Sequence, residues 1–142
     1  MMSTEQSKAI VRRFQDAFDA GDWATLHSVV SPQAKTYQPG IPGPLDFDGF
    51  KQMGASFIDA FSESRHEVLS QIAEGDTVAT RAIWHAVHTG SFNGLSATGK
   101  RIELPITMFD RIADGKIVEH AGLFDQMTLL VQLGMMPEQQ PE

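Results

Sequence analysis

The chain has no cysteine among its 142 residues. That excludes disulfide staples, thiolate metal sites and a cysteine nucleophile. Positive charge is scarce: 11 Lys and Arg stand against 18 Asp and Glu, for a formal net charge of -7. An acidic surface repels phosphate backbones and anionic headgroups, so neither nucleic acid nor a membrane is expected as a partner. No apolar run approaches the roughly 20 residues of a spanning helix. The opening MMSTEQSKAIVRRF lacks the apolar segment of a secretory signal, so a cytoplasmic protein is expected. The G-x-S-x-G, G-x-x-x-x-G-K-[ST] and G-x-G-x-x-G patterns are missing too, which argues against covalent hydrolysis and nucleotide chemistry.

What remains is the composition of a globular protein, 42% hydrophobic and 20% charged. Ser3 and Gln6 form a capping-box pattern before Ile10, Phe14, Ala17 and Phe18, which recur at helical spacing. Gly21 reads as the stop, and Asp22 as the cap of a shorter helix ending before Pro32. The stretch TYQPGIPGPLD is loop, with a short strand around Lys35 to Gln38. Asp48 reads as the cap of a third helix, carrying Phe50, Met53, Phe57 and Phe61 on one face.

Beyond Ser64 the period becomes two. Strands are predicted over Glu67–Ala73, Thr77–Thr89, Ile102–Ile112 and Lys116–Phe124, with a hairpin turn at Asp114-Gly115. A last helix around Met127, Leu130 and Val131 stops at Gly134. Helices first and antiparallel strands last predict an α+β fold, with helices packed on one face of a curved sheet and an apolar pocket where they leave its concave side uncovered. One domain over residues 1–142 is expected, ordered from about 4 to 135, with a flexible tail over 137–142.

Asp125 stands at the seam in EHAGLFDQMTLL. It shares strand parity with the apolar Ala121 and Leu123. A carboxylate facing an apolar pocket has its pKa raised and suits proton abstraction from carbon. The same position also suits a helix N-cap, and the two readings can coexist. His88 shares a face with Val78, Ala82, Trp84 and Ala86, which makes it a pocket or core histidine. His85 and His88 point to opposite faces and are poor co-ligands, so no metal site is expected. His27 and His66 read as surface residues. Tyr37 could offer a phenol to a ligand carbonyl or simply pack at an edge. The loop Ser91–Arg101 reads as a hairpin connection at the pocket rim.

The segments VRRFQDAFDAGDW, AEGDTVATR, HTGSF with GLSATGKRIE, FDRIADGKIVEH and D-x-x-x-LLVQLG occur in an order that resembles the SnoaL-like polyketide cyclases. These share the cystatin-like cone fold of ketosteroid isomerase and limonene-epoxide hydrolase. The resemblance implies a deep apolar pocket, assembly as homodimers or homotetramers, and aldol ring closure without cofactor or metal. It places the general acid/base at Asp125 and a pocket histidine at His88. Many members have histidine at Tyr37 and tryptophan at Ala121.

The reading is therefore a cofactor-independent enzyme on a small apolar or aromatic carbonyl compound. Asp125 and His88 are its expected catalytic pair. Tyr37, Trp84, Phe14, Phe57, Met108 and His120 are expected against the substrate. Ketone isomerisation and epoxide hydrolysis are the catalytic alternatives; for the latter Arg81 points the wrong way. A non-catalytic ligand-binding or dimerisation module is the other class.

Overall fold

The computed structural model describes residues 2–137, so nearly all of the expected flexible tail lies outside the described residues. Helix α1 (Thr4–Ala20) starts where expected. Ser3 Oγ accepts from Gln6 N at 3.1 Å, and Ser3 N donates to Gln6 Oε1 at 2.9 Å. Gly21 closes it in the left-handed conformation, φ +64°. Helix α2 (Trp23–Val29) is capped by Asp22 and runs directly into strand β1 (Val30–Tyr37). Helix α3 (Phe47–Ala60) is capped by Asp46, not Asp48: Asp46 Oδ1 accepts from Gly49 N at 2.8 Å.

Four further strands follow: β2 (Phe61–Glu74), β3 (Thr77–His88), β4 (Arg101–Ala113) and β5 (Lys116–Phe124). Helix α4 (Gln126–Gln132) is the last of the described elements and stops before Gly134 at φ +80°. Two strands are much longer than the sequence suggested. β1 contains Pro32, which an edge strand tolerates because its outer N–H has no ladder partner. β2 begins well before Glu67, and its polar residues mask the alternation.

The sheet order is β1-β5-β4-β3-β2. All neighbours are antiparallel except β1, which lies parallel to β5. Asp114 and Gly115, both at positive φ, make the β4–β5 hairpin turn as expected. The sheet is curved, with α1 packed against β2 and α3 against β1. Gly54 lets α3 approach α1: a Cβ there would lie 2.8 Å from the Phe18 ring.

The core divides in two. One cluster gathers Val11, Phe14, Leu26, Phe50, Val78 and Ile117 under the helices. The other gathers Phe61, Trp84, Ile102, Leu104, Leu129 and Leu133 beside α4. An apolar cavity lies between them, and both clusters supply its walls.

Candidate active site

The cavity is about 420 Å³, within the range of small-molecule sites. Phe14, Phe18, Phe50 and Phe57 come from the helices; Trp84, Leu104 and Met108 come from the sheet. The loop after β1 (Gln38, Pro39, Gly40, Ile41), Phe92–Asn93 and the first turns of α4 form further walls. Of the residues expected against substrate, Phe14, Phe57, Trp84, Met108 and His120 are all brought together here. Tyr37 is not.

His120 stands on β5 between Asp110 of β4 and Thr36 of β1, its register partners on the two neighbouring strands. All three are buried on the concave face. His120 Nδ1 lies 2.6 Å from Asp110 Oδ1. A carboxylate only accepts, so Nδ1 donates and the lone pair of the neutral ring falls on Nε2. Nε2 has no hydrogen-bond partner among the described residues. It lies 3.6 Å from where a Cβ on Gly122 would stand, with Gln38 Oε1 3.7 Å from the same point. Asp110 is 0% exposed and its Oδ2 has no partner among the described residues. The result is an imidazole with a fixed tautomer and one free nitrogen, among the Phe14 and Phe50 rings at 5.0 and 5.9 Å. It can accept a proton from a ligand and hold the resulting charge beside a buried carboxylate.

A second carboxylate-backed imidazole borders the same cavity. His66 Nδ1 lies 2.9 Å from both oxygens of Asp19, and the side chains are only 9% and 11% exposed. The expectation of a surface histidine is corrected here. The contact joins β2 to α1 across 47 positions of sequence, and no local pattern announces it. The Asp110–His120 pair did leave a trace: Asp110 shares strand parity with the apolar Leu104, Met108 and Ile112.

Asp125 lies elsewhere. The side chains of β5 that line the cavity are His120 and Phe124, whereas Leu123, of Asp125's parity, is 68% exposed. Asp125 borders a separate hollow on the outer sheet face, with Arg81, Pro105 and Leu123. It caps α4: Oδ1 accepts from Met127 N and Oδ2 from Thr128 Oγ1, both at 2.9 Å. The Thr128 hydroxyl holds its carboxyl below the ordinary carboxylate value, the opposite of a pocket base. The cap reading is therefore the one the geometry carries. A group whose folded pKa is depressed stabilises the fold above its unfolded pKa, here about 3.8, and that contribution is lost as pH falls through the folded value. Asp125→Asn keeps a capping oxygen but cannot titrate. Acid unfolding followed by circular dichroism should show a shallower loss of stability below about pH 3.8 than the parent. An unchanged acid profile would contradict the capping role.

His88 faces inward as expected but sits in the core. It is 0% exposed and packs 5.2 Å from Phe61, beyond the cavity wall. Its Nδ1 accepts from Thr98 N at 3.2 Å and pairs with Thr98 Oγ1 at 2.9 Å; its Nε2 is buried without a partner among the described residues. His88 is thus not among the cavity-lining residues, whereas His120 is. Tyr37 is 39% exposed and points to the outer face, in one cross-strand row with Ala121, Phe109, Ala79 and Ile72. The loop Ser91–Arg101 contributes Phe92 and Asn93 to the cavity, as its rim reading anticipated. Among the described residues no three His, Asp or Glu side chains converge as metal ligands, and no helix is long and apolar enough to cross a membrane.

A cone of five strands over helices, closed round one apolar cavity with histidine–carboxylate pairs in its wall, defines a small α+β pocket protein. Comparison with known proteins narrows this. The sequence profile described as SnoaL-like polyketide cyclase matches residues 8–133, and the chain belongs to that family. It is similar in structure to IdmH, a proposed polyketide cyclase from Streptomyces antibioticus. That match has 31% identity and TM-score 0.83, covering 91% of this chain and 99% of IdmH. It is also similar to AclR, a proposed hydroxylase from Streptomyces galilaeus, with 29% identity and TM-score 0.87, covering 97% of this chain and 87% of AclR. A SnoaL-like protein from Jannaschia sp. shares the fold at 19% identity and TM-score 0.85, covering 96% and 99%. No protein of curated function matches the sequence.

Proposed function

We propose that the protein is a cofactor-independent acid/base enzyme that abstracts a proton next to a carbonyl and closes a ring by intramolecular aldol addition. The observation that carries this reading is the free Nε2 of His120, aimed into an apolar cavity and backed by the buried Asp110. Membership of the polyketide cyclase family supports the ring closure. The ligand is a small apolar or aromatic compound with at least two carbonyl groups. Aromatic walls fold it so that the reacting carbons meet, and His120 removes the proton. Gln38, whose Nε2 is buried without a partner among the described residues, is placed to donate to the oxygen of the enolate.

The test is deuterium incorporation followed by proton NMR. Aromatic β-keto esters, diketones and cyclic ketones are incubated with the protein in D₂O. Exchange next to a carbonyl, above the buffer rate, is expected for at least one class. Binding without exchange would instead favour the ligand-binding module.

The outer sheet face is where we place the expected contact between two or four copies. Ile72, Leu123 and Phe109 are 70%, 68% and 55% exposed there. Three such side chains on one face are an unusual load for a surface left in water. Sedimentation velocity at micromolar concentration should show a species larger than one chain, and Phe109→Lys should shift it to the monomer. A monomeric parent would contradict the assignment.

A further inference from the structure

The reaction just proposed needs a proton in two places. One leaves a carbon; another must reach the carbonyl oxygen that becomes an alkoxide when the ring closes. The cavity holds a second group built like the first. His66 reaches it from β2, with Nδ1 held by Asp19 of α1 and no partner on Nε2 among the described residues.

The support behind His66 is extensive. Asp19 Oδ2 accepts from His66 N at 2.9 Å, and Oδ1 accepts from Ser64 Oγ at 2.6 Å. Ser64 Oγ in turn accepts from Trp84 Nε1 at 2.9 Å. An irregularity in β2 makes this possible. The register with β3 shifts between Ser62 and Arg65, and Glu63 takes φ +54°, a conformation that a side chain other than glycine rarely adopts. Strained bulges of this kind re-aim side chains and persist where the surroundings enforce them. Here Ser64 and His66 both turn toward Asp19 and the cavity.

The two imidazoles stand on opposite sides of one aromatic lining. His66 meets Phe18, Phe18 meets Phe50, and Phe50 meets His120, at centroid distances of 6.3, 5.9 and 5.9 Å. Helix α1 touches one pair at Phe14 and the other at Asp19. These two contacts lie five residues apart on α1, a rise of about 7.5 Å.

We infer that His66 is a second catalytic residue, the proton donor to the acceptor carbonyl, with Asp19 as its positioning residue. The inference rests on the proton-abstraction reading of His120. The step balances as follows. His120 Nε2 takes the C–H proton. The resulting enolate carbon attacks the second carbonyl carbon, forming the C–C bond. The π pair of that carbonyl moves to its oxygen, which takes the proton from the His66 imidazolium. His120 finishes protonated and His66 neutral, and exchange with water restores both.

The test separates the two protons. With 1-phenylhexane-1,5-dione in D₂O, NMR reads deuterium entry next to the carbonyls and the appearance of the cyclised hydroxyketone or its enone. In His66→Gln, exchange is expected to stay near the parent rate while ring closure falls roughly 100-fold or more, the scale of a lost general acid. Retained exchange also certifies that the variant is folded. Asp19→Asn should lower ring closure in the same selective way. The inference is overturned if His66→Gln closes the ring as fast as the parent. It is overturned equally if exchange and closure fall together, which marks a structural role, or if the parent exchanges without closing the ring. A parent that shows no exchange at all removes the His120 reading first, and this inference with it.

Discussion

His120→Gln should lower carbonyl-directed exchange by roughly 10²–10⁴-fold, the range contributed by a positioned general base. Glutamine fills much of the same space and can still donate to Asp110, so the fold should survive. What it lacks is a nitrogen lone pair facing the cavity. Asp110→Asn should do comparable damage by another route. Asp110 fixes the tautomer, because its carboxylate oxygen can only accept from Nδ1 at 2.6 Å. An asparagine amide can donate to Nδ1 instead, which moves the ring proton to Nε2 and removes the base. Exchange rates measured beside circular dichroism spectra would separate this from unfolding. Full activity in His120→Gln would end the proposal.

The largest stability effect is expected at Phe61. It is 1% exposed at the junction of α3 and β2, with the rings of Trp84, His88, Phe92 and Phe57 at 5.0, 5.2, 5.2 and 6.0 Å. Phe61→Ala removes the ring that four others touch. Large-to-small changes of this kind cost about 3–5 kcal/mol when the cavity cannot collapse. Here the strands on one side and α4 on the other limit collapse. The loss should appear in urea unfolding as a lower midpoint with an unchanged slope. A loss below about 1 kcal/mol would mean that the second core cluster repacks freely.

Much of the fold was legible because its signals are local. The capping box at Ser3 and Gln6, the stop at Gly21, the turn at Asp114-Gly115 and the strand Lys116–Phe124 all stand where the sequence put them. The cavity walls were legible for the same reason: Phe14, Phe57 and Trp84 repeat at the period of their elements. The histidine–carboxylate pairs of the candidate site were not. Alternation divides a strand into two faces but does not say which one is inside. In β5 both faces carry apolar residues, since the outer sheet surface is itself apolar at Leu123, Phe109 and Ile72. Alternation alone therefore puts Ala121 and Leu123 on the pocket side, and Asp125 with them. The opposite parity, with His120, was the buried one. His88 illustrates a different limit: its face was right, but its place along the strand put it beyond the cavity, under Thr98. His66 depended on an irregularity at Glu63 and a partner 47 positions away.

The departures from the usual family pattern also find a physical setting. Ala121 and Tyr37, where the resemblance implied tryptophan and histidine, are register neighbours on β5 and β1. Both belong to the outer row with Phe109, away from the cavity lining.

The account turns on which group takes the proton, and one comparison tests that most directly: exchange into a single carbonyl probe by Asp125→Asn and His120→Gln, measured beside the parent. The expected result is parent-like exchange in Asp125→Asn and almost none in His120→Gln. Parent-like exchange in His120→Gln with loss in Asp125→Asn would contradict the account and return the chemistry to the start of α4.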